Sequence, residues 1–171
     1  MEVNEIKRNR TFVVLGMHRS ATSLVAKALH DQGIEMGTGT ATAIDRGSHF
    51  EDLSFVDIND SLLEKAGGSW DKPPAKEKLD KVQDGRCGRL VDYRQTKNEM
   101  WGWKDPRTAL VFDKYLPHLG GDVYLVCVFR KPRYVAKSLK RLWGFGEKRC
   151  RAIIDRYNKD IIDSIHKFLW W

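Results

Sequence analysis

The chain has 171 residues, 42% of them hydrophobic and 31% charged, which suits a single domain with a continuous core and excludes a long disordered chain. A formal net charge of +7 points to anionic partners, but the basic residues are spread along the chain with no zinc-finger, RNP-like or basic-region pattern, so no nucleic acid is expected. The longest apolar runs are too short to span a bilayer, and the polar, mixed-charge stretch Met1–Arg10 predicts a cytoplasmic address.

In chain order, Thr11–Gly16 is a β-branched, apolar run ending in glycine and reads as a buried strand. Thr22–Gln32 follows as a helix, with Leu24, Val25, Ala28 and Leu29 at helical spacing and Gly33 at its carboxyl end. Residues 37–49, rich in Gly, Thr, Ser and Ala, read as a mobile loop. Phe50–Lys65 predicts a helix whose stripe is Phe55, Ile58, Leu62 and Leu63, broken by Gly67–Pro74. The polar stretch 75–98 predicts helical pieces, and 66–98 as a whole a variable, acceptor-side insertion.

Trp101–Pro106 reads as a short strand stopped by proline, with a helix near Arg107–Leu116. Val123–Phe129, seven residues without a charge, is the clearest strand, and Cys127 within it is expected to be a buried core thiol. Three cysteines without CxxC spacing predict neither a metal site nor a disulfide framework. Lys131–Leu142 is helical after an early proline. Arg149–Leu169 is a long helix with Ile153, Ile154, Tyr157, Ile161, Ile162, Ile165 and Phe168 on one face. Trp170 and Trp171 are expected to pack back onto the domain, with a homodimer contact as the second option. Strands alternating with helices indicate a parallel sheet covered on both sides.

The chemistry starts at Gly16-Met-His-Arg-Ser-Ala-Thr-Ser23, between the first strand and the first helix. There, backbone N–H groups and a helix N-terminus converge on an anion. The expectation is an α/β, three-layer P-loop nucleotide-binding fold. Against the Walker A pattern, Gly16 and Ser23 match, Ala21 replaces the second glycine and Thr22 replaces the lysine. A triphosphate site needs that lysine and an acidic metal partner, and Val123–Phe129 ends instead in Arg130. A P-loop kinase is therefore disfavoured, and no metal is expected.

The run Arg19-Ser20-Ala21-Thr22-Ser23 resembles the 5′-phosphosulfate loop of sulfotransferases that use 3′-phosphoadenosine-5′-phosphosulfate (PAPS). Phe129-Arg130 through Ser138 resembles that family's 3′-phosphate motif, an arginine at a strand end and a serine about two helical turns along. Trp101-Gly-Trp-Lys-Asp-Pro-Arg107 and His49-Phe-Glu-Asp-Leu53, continuing to Asn59-Asp-Ser-Leu-Leu63, resemble further blocks of a bacterial-type subgroup, so the likeness covers roughly residues 11–142.

The resemblance implies that His18, Arg19, Ser20, Ala21, Thr22, Ser23, Arg130 and Ser138 bind PAPS and its product, adenosine 3′,5′-bisphosphate. Arg19 and Lys104 would stabilise the sulfonate in transfer to a hydroxyl or amine by metal-independent in-line displacement. A histidine serves as base in one branch, but Pro106 occupies that position, so Glu51 is expected to take the proton, with Asp105 and His49 in reserve. The acceptor stays open among a saccharide, a lipid headgroup, a small alcohol and a protein tyrosine. Two departures, Ala21 and the short segment after Leu142, keep a non-catalytic or partner-dependent binding module as the alternative. Alanine in the first turn of a helix is not expected to be strained.

Overall fold

The computed structural model describes residues 9–37 and 50–171. Its centre is a parallel three-stranded sheet in the order β2-β1-β3, built from β1 (Arg10–Gly16), β2 (Met100–Lys104) and β3 (Asp122–Val128). A parallel bridge from Glu35 to Trp101 adds a short pairing outside β2. The helices are α1 (Thr22–Asp31), α2 (Leu53–Lys65), α3 (Lys76–Lys81), α4 (Arg86–Lys97), α5 (Thr108–Val111), α6 (Pro132–Trp143) and α7 (Glu147–Leu169).

The period of two along β1 divides its side chains between two unequal cores. Val13 and Leu15, followed by Met17, enter a large core with Trp101 and Trp103 of β2 and residues of α2, α4, α5, α6 and α7. Val14 faces a small core with Ala26 of α1, Ile34 and Met36, flanked by partly buried Phe12. Helices therefore cover both faces, giving the three layers that the alternating pattern anticipates. Gly102 lies between the two tryptophans because a Cβ there would sit 2.2 Å from the Phe12 carbonyl oxygen. That absence of a side chain lets β2 lie close against β1 while Trp101, Trp103 and Phe55 stack in the large core.

Several elements differ from the sequence reading. The second helix starts at Leu53 because the Asp52 carboxylate accepts the Ser54 N–H at 3.0 Å and caps it, leaving Glu51 outside the helix. The helix near 107–116 is one turn, Thr108–Val111, followed by two 3₁₀ turns. Segment 75–98, by contrast, forms the helical pieces expected of it, α3 and α4, and their Leu79, Cys87 and Val91 join the large core. Cys127 is only half-buried, since β3 is an edge strand among the described residues. Trp170 is 91% exposed rather than packed back, and Trp171, 57% exposed, stacks on Phe168 with ring centroids 6.1 Å apart. Ile162, placed by its spacing on the apolar face of α7, is 45% exposed. Apart from Gly37, the expected 37–49 loop lies outside the described residues, as does His49. No helix among the described residues is long and apolar enough to cross a membrane.

Candidate functional site

Parallel strands end on one edge of the sheet, so the turns after β1, β2 and β3 are neighbours, and this is the edge where open α/β sheets bind ligands. The turn after β1 has an uncommon backbone. Arg19 and Ala21 both have left-handed φ, +69° and +72°, on either side of Ser20. Alternation of this kind turns successive N–H groups toward one side and forms an anion-binding hollow. Ala21 is the N-cap of α1 and offers no side-chain cap, and the first turn holds no acidic residue. Ala21 is therefore strained after all, because at the N-cap it adopts the left-handed conformation that glycine takes without cost.

An uncapped helix start has N–H groups that an anion can satisfy, and cations gather beside it. Arg19 Nε donates to Ser138 Oγ on α6 at 2.9 Å. Arg130, just past β3, donates from Nη1 to the Arg19 carbonyl at 2.9 Å. The residues expected at the two ends of one nucleotide thus meet directly, with Arg19 bonded to both. Gly16 makes the turn possible, since a Cβ there would lie 2.4 Å from Thr22 Cγ2.

Lys104, at the end of β2, is 1% exposed and donates to Ser23 Oγ at 3.2 Å and Glu51 Oε1 at 2.9 Å. Burial pulls its pKa below the ordinary lysine range, against the opposing pull of Glu51. The ammonium carries three N–H groups, so one remains beyond these two partners. Lys104 is thus a buried cation joining α1 to Glu51, not a lysine reaching out to water.

The turn after β2 is held by a buried network. Asp105, fully buried, accepts from Asn59 Nδ2 at 2.7 Å and from Arg107 Nη1 at 2.8 Å. Asn59 also donates to Thr108 Oγ1 at 3.1 Å and accepts from the Tyr115 hydroxyl at 2.7 Å. Arg107 is ion-paired to Asp60 at 2.6 Å, and its pKa is raised by Asp105 and Asp60 against its burial. With both oxygens engaged, Asp105 anchors α2 to the end of β2; it is poorly placed to serve as a reserve base.

His18 departs from the expected ligand set. Its ring packs 4.4 Å from Trp70 and 5.9 Å from Tyr157, with Nε2 buried and unpartnered. Burial first, then Arg107, Lys104 and Arg19, push its pKa well below 6.5, so the ring is neutral. His18 can offer the loop its backbone, while its ring braces the turn from beneath. The Asn59 network was not recognised as such from sequence, although Asn59 lies four residues after Phe55 and three before Leu62, on the apolar stripe. A polar residue on that stripe signals a buried partner.

A groove of about 570 Å³ lies between α2 and α4, lined by Leu53, Asp57, Arg86, Arg89 and Tyr93, and begins two residues after Glu51. No family model, curated relative or solved structure matches this chain.

Proposed function

We propose that this chain is a cytoplasmic, P-loop-type sulfotransferase that uses PAPS to sulfonate a hydroxyl or amine. The observation that carries this reading is the meeting of Arg19, Arg130 and Ser138 at the uncapped start of α1, with Lys104 bonded to Ser23 on the same helix. The residues fit a nucleotide phosphorylated at both ends. Backbone N–H groups of residues 20–23 and the hydroxyls of Ser20, Thr22 and Ser23 would hold the 5′-phosphate, and Arg130 with Ser138 the 3′-phosphate.

When bound, PAPS supplies a sulfonate on a phosphate leaving group. Arg19 and the remaining N–H of Lys104 would offset charge on the transferring oxygens and on the leaving phosphate. These two fixed cations do the work that a metal does for phosphoryl transfer. Glu51 would accept the acceptor's proton, and its bond to Lys104 fixes the carboxylate beside the loop. The groove between α2 and α4, lined by Leu53, Asp57 and Tyr93, would receive the acceptor.

Calorimetric titration with adenosine 3′,5′-bisphosphate, alongside 5′-AMP and ATP with Mg²⁺, tests the reading. Binding that needs the 3′-phosphate and weakens in Arg130→Ala supports it. Preference for ATP with Mg²⁺ would reassign the chain to a P-loop kinase, and no binding of any nucleotide would overturn the proposal. Binding of the bisphosphate with no transfer from PAPS to a broad acceptor panel would leave a non-catalytic binding module.

A further inference from the structure

A second groove, of about 530 Å³, lies between α7 and the segment that follows Trp70. Arg149, Ala152, Ile153 and Arg156 line it at helical spacing, so one face of α7 forms a wall, with the two arginines about 10 Å apart along the axis. Asp71, Lys72 and Pro73 form the other wall. Three bonds fasten this wall to α7. Arg149 pairs with Asp71, Arg156 Nη1 donates to the Pro74 carbonyl at 2.8 Å, and the Tyr157 hydroxyl donates to the Trp70 carbonyl at 3.0 Å. The walls are thus fixed relative to each other, and the groove is preformed, in the size range of small-molecule sites. Its charge is unbalanced. Lys72, Arg149 and Arg156 are set against two carboxylates, Asp71 and Asp160, the latter 2.9 Å from Arg156 Nε, which leaves one positive charge over. Arg156 Nη2 is buried and, among the described residues, has no hydrogen-bond acceptor. A buried donor without an acceptor is costly, and one on the wall of a groove points to an acceptor that a ligand brings.

We propose that this groove binds a small organic anion, one carboxylate or sulfonate on an apolar, ring-sized body. The acidic group would lie against Arg149, Arg156 and Lys72, taking N–H groups that the bonds to Asp71, Asp160 and Pro74 leave over. A single acidic group matches the single excess charge. The body would cover Pro73, Ala152 and Ile153, the apolar part of the lining. A neutral ligand would leave the groove's charge unmatched, and a polyanion would be repelled by Asp71 and Asp160. None of the lining residues is among those that would hold PAPS, so the site stands independently of that reading.

Amide-resolved NMR titration of the full chain, free of nucleotide, tests this with 2-naphthoate, naphthalene-2-sulfonate and the neutral 2-naphthalenemethanol. Both anions are expected to shift the amides of Lys72, Arg149, Ala152 and Arg156 saturably, with dissociation constants below about 1 mM. The alcohol should bind about tenfold more weakly or not at all. Ala152→Trp fills the groove from an exposed helical position and should abolish the shifts. Lys72→Ala and Arg156→Leu should each weaken binding about threefold to tenfold. The same spectra show whether each variant folds. Lys72 is exposed and its side chain makes none of the bonds that tie the walls together, so its variant tests the site even where Arg156→Leu unfolds the chain. Absence of saturable shifts at these residues up to about 5 mM ligand overturns the proposal. So does equal affinity for the alcohol, or binding that Ala152→Trp and Lys72→Ala both leave unchanged.

Discussion

Two turns on the same sheet edge are built in opposite ways. The turn after β2 is closed: Asp105, Asn59, Thr108, Tyr115 and Arg107 hold one another in the interior. The turn after β1 has two left-handed non-glycine residues, a helix start with no side-chain cap, and a buried histidine nitrogen without a partner. The turn after β2 is closed on itself, whereas the turn after β1 leaves helix-start N–H groups without a side-chain cap. Lys104 leads from one to the other, ending β2 immediately before the closed turn and extending its ammonium to Ser23 at the open one.

The comparison can be broken most severely at its chemical end. Arg19→Ala and Lys104→Ala should each lower turnover about 10²–10³-fold, with melting temperatures close to wild type for Arg19→Ala, as expected for donors aimed at developing charge. Steady-state rates with PAPS and a competent acceptor provide the check. At the closed turn the loss should appear in stability instead. Asp105→Ala leaves Arg107 and Asn59 short of a buried acceptor and should cost about 3 kcal/mol in urea unfolding, while nucleotide affinity at saturating folded protein changes little.

A pH series sharpens the contrast. The His18 pKa is held well below 6.5 in the folded protein, so below pH 6.5 the unfolded chain takes up a proton that the native state refuses. Stability should therefore fall as pH drops through 6.5, by up to about 1.4 kcal/mol per unit from this group, until the folded pKa is reached. His18→Phe, which keeps a ring between Trp70 and Tyr157, should flatten that part of the profile. The smallest effect is a gain: Ala21→Gly relieves a left-handed alanine and should raise stability by about 1 kcal/mol, partly offset by glycine's unfolded-state entropy. Thermal melts of the pair measure it.

Much of this arrangement was legible in sequence because it rests on local pattern. The β-branched run before Gly16, the 3.6 period after Thr22 and the proline after Asp105 fixed the strand, the helix and the stop that place Arg19 and Lys104. Pattern cannot report which way a side chain turns when both directions are locally allowed. His18 sits among hydroxyls and a cation yet enters the core, because Trp70 and Tyr157, distant in sequence, form the slot for its ring. The strain at Ala21 was hidden for a related reason, since an N-cap has the same neighbours in sequence as a first-turn residue but a different φ. Cys127 was misjudged because burial of an apolar strand depends on having neighbours on both sides, and among the described residues β3 has one.

The register of β1 also bears on how the molecule is assembled. Arg10 of the central strand pairs with Met100 on one side and Asp122 on the other, and Arg19 meets Ser138 across 119 positions of chain. Such long closures are entropically costly and slow, so folding should be governed by topology rather than by the early helices. On a ribosome adding residues from the amino end, β1 would wait without either neighbour until most of the chain has emerged. The loop at its tip would then gain its arginine and serine partners among the last contacts formed.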